Sequence, residues 1–176
     1  MRRTLMFLTV LLMAACEPAV SPPLSPTAPG ASPSSAAKPS AAEGLLVEIR
    51  AASHPTFDRL VLEFGGDKAP EVSYAFVDAV TEDPSDKPVP LQGKAFVQIV
   101  CQGAFLDTSA HETDPTKAQK YTGPKRITPG LRVLKEVAIS GDFEAVLSFG
   151  VGLSHQSSVR VETLTSPARV VFDFSY

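Results

Sequence analysis

The chain has no tryptophan, only two cysteines and only three histidines in 176 residues, and its charged residues nearly cancel, leaving a formal net charge of -3. Each shortage excludes something. Without tryptophan, and with aromatic residues at 7%, bulky core anchors come from ten phenylalanines and three tyrosines. A net negative chain lacks the basic surface that counterion release from a phosphate backbone requires, so no nucleic-acid partner is expected. His54, His111 and His155 are far apart, with none of the short spacings that bring two imidazoles onto one metal, so neither a metal nor another cofactor is expected. The nucleophile elbow, the phosphate-binding loop and the paired-glycine dinucleotide fingerprint are all missing, and Gly65-Gly66-Asp67 reads as a turn rather than a phosphate cradle. Nor is there an apolar run of the roughly 20 residues that a membrane-spanning helix needs. At 18.6 kDa the chain has room for one ordinary domain.

What is present begins with an address. Arg2 and Arg3 precede an apolar stretch from Leu5 to Ala15, which has the length and polarity of a signal-peptide core. It ends Leu11-Leu12-Met13-Ala14-Ala15-Cys16, small residues before a cysteine, and this resembles a bacterial lipobox with Met13 where Leu is more usual. The expectation is a signal peptide over 1–15 and a diacylglyceryl anchor on Cys16, which places the rest outside the cytoplasm, held to a membrane by lipid. Cys101 then has no partner for an intramolecular disulfide. It falls on one face of an alternating strand with Val97 and Ile99, which predicts a buried, inert thiol.

From Glu17 to Glu43 the sequence is dominated by Pro, Ser and Ala and has no aromatic residue, so it cannot bury enough apolar surface to offset the entropy of ordering. Residues 16–43 are therefore expected to be a disordered linker, extended by its prolines to about 3.1 Å per residue where it adopts polyproline II.

Residues 44–176 read as one all-β domain. Eight runs rich in Val, Leu, Ile and Phe, each bounded by Gly, Pro, Asp or Ser, predict strands at Leu45–Ala51, Arg59–Gly65, Glu71–Asp78, Lys94–Gln102, Arg132–Ser140, Phe143–Gly152, Ser158–Glu162 and Arg169–Phe174. That pattern is a β-sandwich of about eight short, mostly antiparallel strands, with a tight turn expected at Ser140-Gly141-Asp142. Arg59-Leu-Val-Leu-Glu-Phe64 and Arg169-Val-Val-Phe-Asp-Phe174 repeat one pattern in the same register. Alternation sends Leu60, Leu62 and Phe64, and likewise Val170, Phe172 and Phe174, into a core, leaving Arg59, Glu63, Arg169 and Asp173 outside to pair along or between strands.

The stretches Ser53–Phe64, Val89–Phe96, Gly141–Leu147 and Leu164–Phe174, in that order, resemble the AMIN-like domain of secreted bacterial proteins, over nearly all of residues 44–176. The closing Pro167-Ala-Arg-Val-Val-Phe-Asp173 also resembles the last strand of the AMIN domain proper, which accompanies cell-wall amidases and secretin-type assemblies. The resemblance implies a β-sandwich without enzymatic activity that binds a component of the cell envelope, peptidoglycan or another wall polymer. The alternative is an assembly lipoprotein that binds other envelope proteins. A small hydrolase built on His54 and Asp58 is a third possibility, although Pro55 places His54 in a turn, where Asp58 more simply holds backbone N–H groups or pairs with Arg59.

Two acidic segments, Thr81–Pro88 and Asp107–Asp114, read as solvated loops. The second belongs to an insertion from about Gly103 to Gly130, longer than compact domains use for a simple connection. Its second half carries Lys117, Lys120, Tyr121, Lys125 and Arg126, a basic and aromatic mixture suited to anionic or glycan groups; the alternative for the insertion is disorder. Candidate ligand-binding residues are Lys120, Tyr121 and Arg126 here, with Arg59 and Arg169 on the strands.

Overall fold

A computed structural model describes residues 41–176; the expected signal peptide, the Cys16 anchor and the linker up to residue 40 lie outside the described residues. Nine strands form two antiparallel sheets: β1 (Leu46–Ser53), β2 (Phe57–Phe64), β3 (Glu71–Val77), β4 (Ala95–Gln102), β5 (Arg126–Ile127), β6 (Leu134–Phe143), β7 (Val146–Leu153), β8 (Val159–Leu164) and β9 (Arg169–Ser175). One sheet has the order β1-β2-β9-β8, the other β3-β4-β7-β6-β5. The all-β sandwich is therefore as the sequence predicts, and each of the eight expected runs overlaps a strand, with ends that differ by up to three residues. No helix among the described residues is long and apolar enough to cross a membrane.

The core follows from alternation. Leu60, Leu62 and Phe64 of β2 and Val170, Phe172 and Phe174 of β9 meet Val97, Ile99 and Cys101 of β4 and Leu147, Phe149, Val151 and Leu153 of β7. Each of the larger side chains gains about 1.5–3 kcal/mol on leaving water. Cys101 is fully buried among them, and burial pushes its thiol up to about 12.

Two features depart from the sequence reading. The turn expected at Ser140–Asp142 lies instead at Glu144 and Ala145, which take φ of 50° and 59° between the paired residues Phe143 and Val146. Gly141 lies inside β6, paired with Ser148, and a Cβ there would come 2.8 Å from Asp83 Cβ. The glycine permits a close approach of another segment and does not mark the turn. That segment is the first acidic loop, whose residues 81–88 are all exposed, as expected, and which is tied to the sheet where Asp83 N–H donates to Ser140 O; Val80, just before it, is buried. From Val80 to Gln92 the chain crosses the outer face of the five-stranded sheet over Gly150 and Gly152, where a Cβ would meet Val80 Cγ1 at 2.7 Å and would clash with Gln92 O. Finally, the 103–130 insertion contains a ninth strand, β5, and is bonded along its length. Leu46 N–H donates to Phe105 O, Tyr121 N–H to Leu106 O and Thr108 N–H to Gln119 O.

Candidate functional site

β2 and β9 are antiparallel neighbours, so their repeated pattern sets Arg59 opposite Asp173 and Glu63 opposite Arg169. Arg59 closes a two-pronged contact on Asp173, Nε to Oδ1 at 2.7 Å and Nη2 to Oδ2 at 2.8 Å, and its guanidinium lies 5.1 Å from the centre of the Phe57 ring. The fork geometry suits this carboxylate. The hydrogen bond from Arg59 outweighs burial and holds the Asp173 carboxyl below its usual range. At the other end Glu63 takes Arg50 at 3.0 Å, and Arg169 Nε donates to Pro167 O at 3.3 Å.

Arg126, on β5 at the edge of the other sheet, reaches Glu136 Oε1 and Pro90 O. Glu136 is buried and also accepts from Gln92 N–H. Arg126 thus neutralises an acid under the Val80–Gln92 crossing and ties three segments together. The sequence signal for this pair was a single acid inside the apolar run Val133–Ile139, which demands a cationic or N–H partner.

Lys120 and Tyr121 fall on a different surface, beside β1. With Ala41, Leu45, Leu46, Val47, Gln119 and Thr122 they line an open groove of about 410 Å³. The phenol of Tyr121 donates to Pro124 O at 3.0 Å, its ring packs partly on the core, and burial together with the Glu48 charge raises its pKa. Lys120 Nζ stands 2.6 Å from Asp107 Oδ2, and this contact, with the bonds from Ser109, lowers the Asp107 carboxyl to about 2. Ala42 N–H donates to Gln119 Oε1 at 3.0 Å, so the chain enters the domain along one wall of the groove. The structure therefore brings together Lys120 and Tyr121. Arg59 and Arg169 lie on the outer face of the four-stranded sheet, and Arg126 lies on the five-stranded sheet.

Sequence reasoning missed a buried polar cluster. Asp58 is fully buried; its Oδ2 accepts from Val133 and Leu134 N–H, and its Oδ1 from Ser53 Oγ and the Tyr176 phenol, both at 2.9 Å. Burial pushes the carboxyl up, but the two backbone bonds and the two hydroxyls together bring it below its ordinary value. Asp58 does hold backbone N–H groups, as one reading of the turn supposed, but they belong to the start of β6. His54 stacks on Phe57 with ring centres 4.5 Å apart, and Arg132 covers the Tyr176 ring at 4.6 Å. The carboxylate is saturated by four donors that fix the β1–β2 turn, the start of β6 and the C-terminus to one another. The other histidines sit elsewhere, His111 against Phe105 and His155 beside Ser154.

Neither a curated protein nor a solved structure matches the chain. A family model described as the AMIN-like domain matches residues 44–176, which contain all nine strands and every contact described above except those of Ala41 and Ala42. The chain belongs to the AMIN-like domain family.

Proposed function

We propose that residues 44–176 form a non-catalytic module that binds peptidoglycan or another wall polymer through the groove between β1 and the Gln119–Thr122 stretch. In this reading a lipid on Cys16 anchors the chain to a membrane of the bacterial envelope and residues 17–43 set the reach. Family membership supports an extracytoplasmic, envelope-associated binding module. The observation that carries the choice of surface is that Lys120 and Tyr121, separated from the other candidate cations, line one open groove with apolar and amide neighbours. A glycan strand presents flat apolar ring faces for an aromatic side chain, and its peptide stems present carboxylates for an ammonium. Arg169, on the outer face of the sheet that β1 borders, would extend the contact to further anionic groups. Arg59 and Arg126 are committed to buried or nearly buried carboxylates, so in this proposal they hold the frame, whereas Lys120 is paired with the more exposed Asp107 and would exchange it for a stem carboxylate.

The test is co-sedimentation of residues 41–176 with purified sacculi across a salt series, with Tyr121→Ala and Lys120→Glu alongside. The expected result is salt-resistant retention that Tyr121→Ala weakens, and a salt-sensitive part that Lys120→Glu removes. A folded domain left in the supernatant at every salt would replace the wall polymer with an envelope protein as ligand.

A further inference from the structure

Sheet edges expose unpaired N–H and C=O groups, and proteins usually blunt them with charge, bulges, short strands or a covering segment. Three of the four edges here are blunted. β1 is irregular between Leu46 and Glu48 and is bridged by Phe105; β5 has two residues; β8 carries Arg160 and Glu162. The fourth, β3, is different. Its seven residues, Glu71-Val-Ser-Tyr-Ala-Phe-Val77, have no charge after Glu71, no proline and no irregularity in their pairing with β4. Among the described residues nothing pairs with the outer side of β3. Tyr74 faces the sandwich interior, with its ring edge-on to Phe172 at 6.0 Å, yet is 41% exposed because the sheet ends there.

We propose that β3 pairs with β3 of a second copy of this chain, antiparallel about a two-fold axis through Tyr74, joining the two five-stranded sheets into one. The sequence of the strand fits its own mate. Centred on Tyr74, all seven residues pair: Glu71 opposite Val77, Val72 opposite Phe76 and Ser73 opposite Ala75. A two-fold axis perpendicular to the sheet keeps the interior-facing Val72, Tyr74 and Phe76 on one continuous face. It also never sets Glu71 directly against Asp78, because their side chains alternate to opposite faces. Beyond the strand ends, the register brings the exposed Lys68 of each copy diagonal to the exposed Asp78 of the other, within reach of a long side chain. Paired Tyr74 rings would then close the seam that each copy leaves open. Two modules joined in this way would double the wall contacts at each attachment.

The test uses the full-length chain carrying Tyr74→Cys, oxidised with copper(II) phenanthroline and run on a non-reducing gel. Directly opposed β positions lie within reach of a disulfide; Cys101, diagonal to position 74 on the interior face, is replaced by Ala in every variant and in the parent so that it cannot compete. The expected result is a shift from monomer to covalent dimer that exceeds the parent chain. Glu162→Cys on β8 should stay at the parent level. Because Tyr74→Cys also removes an edge aromatic, the double variant Ser73→Cys/Ala75→Cys supplies a second reading of the same register: it should cross-link, whereas Ser73→Cys alone should not. Absence of dimer from both the Tyr74 and the double variants, with folding verified by circular dichroism, would overturn the proposal. So would equal cross-linking at Glu162, or a Tyr74 adduct to a protein of different mass.

Discussion

Replacing Asp58 tests whether the sandwich depends on a saturated buried carboxylate. In Asp58→Ala the N–H groups of Val133 and Leu134 lose their acceptor. Each buried, unpaired donor costs about 1–3 kcal/mol, so the loss should be about 2–6 kcal/mol, a large part of the roughly 5–15 kcal/mol that holds a domain together. Asp58→Asn keeps one acceptor for those two N–H groups and turns its amide towards Ser53 and Tyr176, whose hydroxyls can rotate to accept. It should cost less, about 1–3 kcal/mol. The pH dependence gives a second reading. Asp58 has its folded-state pKa below the ordinary 3.8, so its contribution is complete above the unfolded pKa and is lost as pH falls through the folded one. The stability gap between the parent and Asp58→Asn should therefore be constant near neutrality and shrink below about pH 4. Urea unfolding followed by tyrosine fluorescence, with no tryptophan to mask it, measures both. A gap under about 0.5 kcal/mol, within the range of an ordinary surface change, or one that does not vary with pH, would refute the assignment.

Other consequences concern the frame. Arg126→Ala leaves Glu136 buried without its cation and should cost about 2–4 kcal/mol, somewhat below a wholly buried pair because Arg126 reaches solvent; adding Glu136→Gln should recover part of the loss in urea unfolding. If Arg126→Ala were neutral, the ion pair would not be what holds the Val80–Gln92 crossing. Cys101, with its thiol pushed up to about 12 by burial, should resist a thiol-reactive dye in native residues 41–176 and react fully in urea. Labelling of the native domain at the rate of a free thiol would contradict the packing.

The strands were legible because alternation carries most of the information. Leu60, Leu62 and Phe64 could only face a core, and the matching pattern at Arg169–Phe174 announced a strand of the same build, though not that the two would be neighbours. Where glycine serves packing, local punctuation misleads: Gly141 makes room for Asp83, and the true turn uses Glu144 and Ala145. β5 is two residues long and has no periodicity to detect. The candidate site was legible only in part, for a physical reason. Sequence shows which residues carry charge but not whether a distant carboxylate has already neutralised it. Arg59, Arg126 and Lys120 met Asp173, Glu136 and Asp107, and only Lys120 and Tyr121, adjacent in sequence, necessarily stayed together. The partners of Asp58 at the start of β6 lie 75 and 76 residues away, beyond any local pattern.

The most direct test of the wall-binding groove is a titration of residues 41–176 with soluble muropeptides, followed by backbone amide chemical shifts. Saturable shifts concentrated at Leu45–Val47 and Gln119–Thr122, and abolished by Tyr121→Ala in a folded domain, are the predicted outcome. Shifts confined to the outer face around Arg59 and Arg169, or no saturable shifts at all, would contradict it.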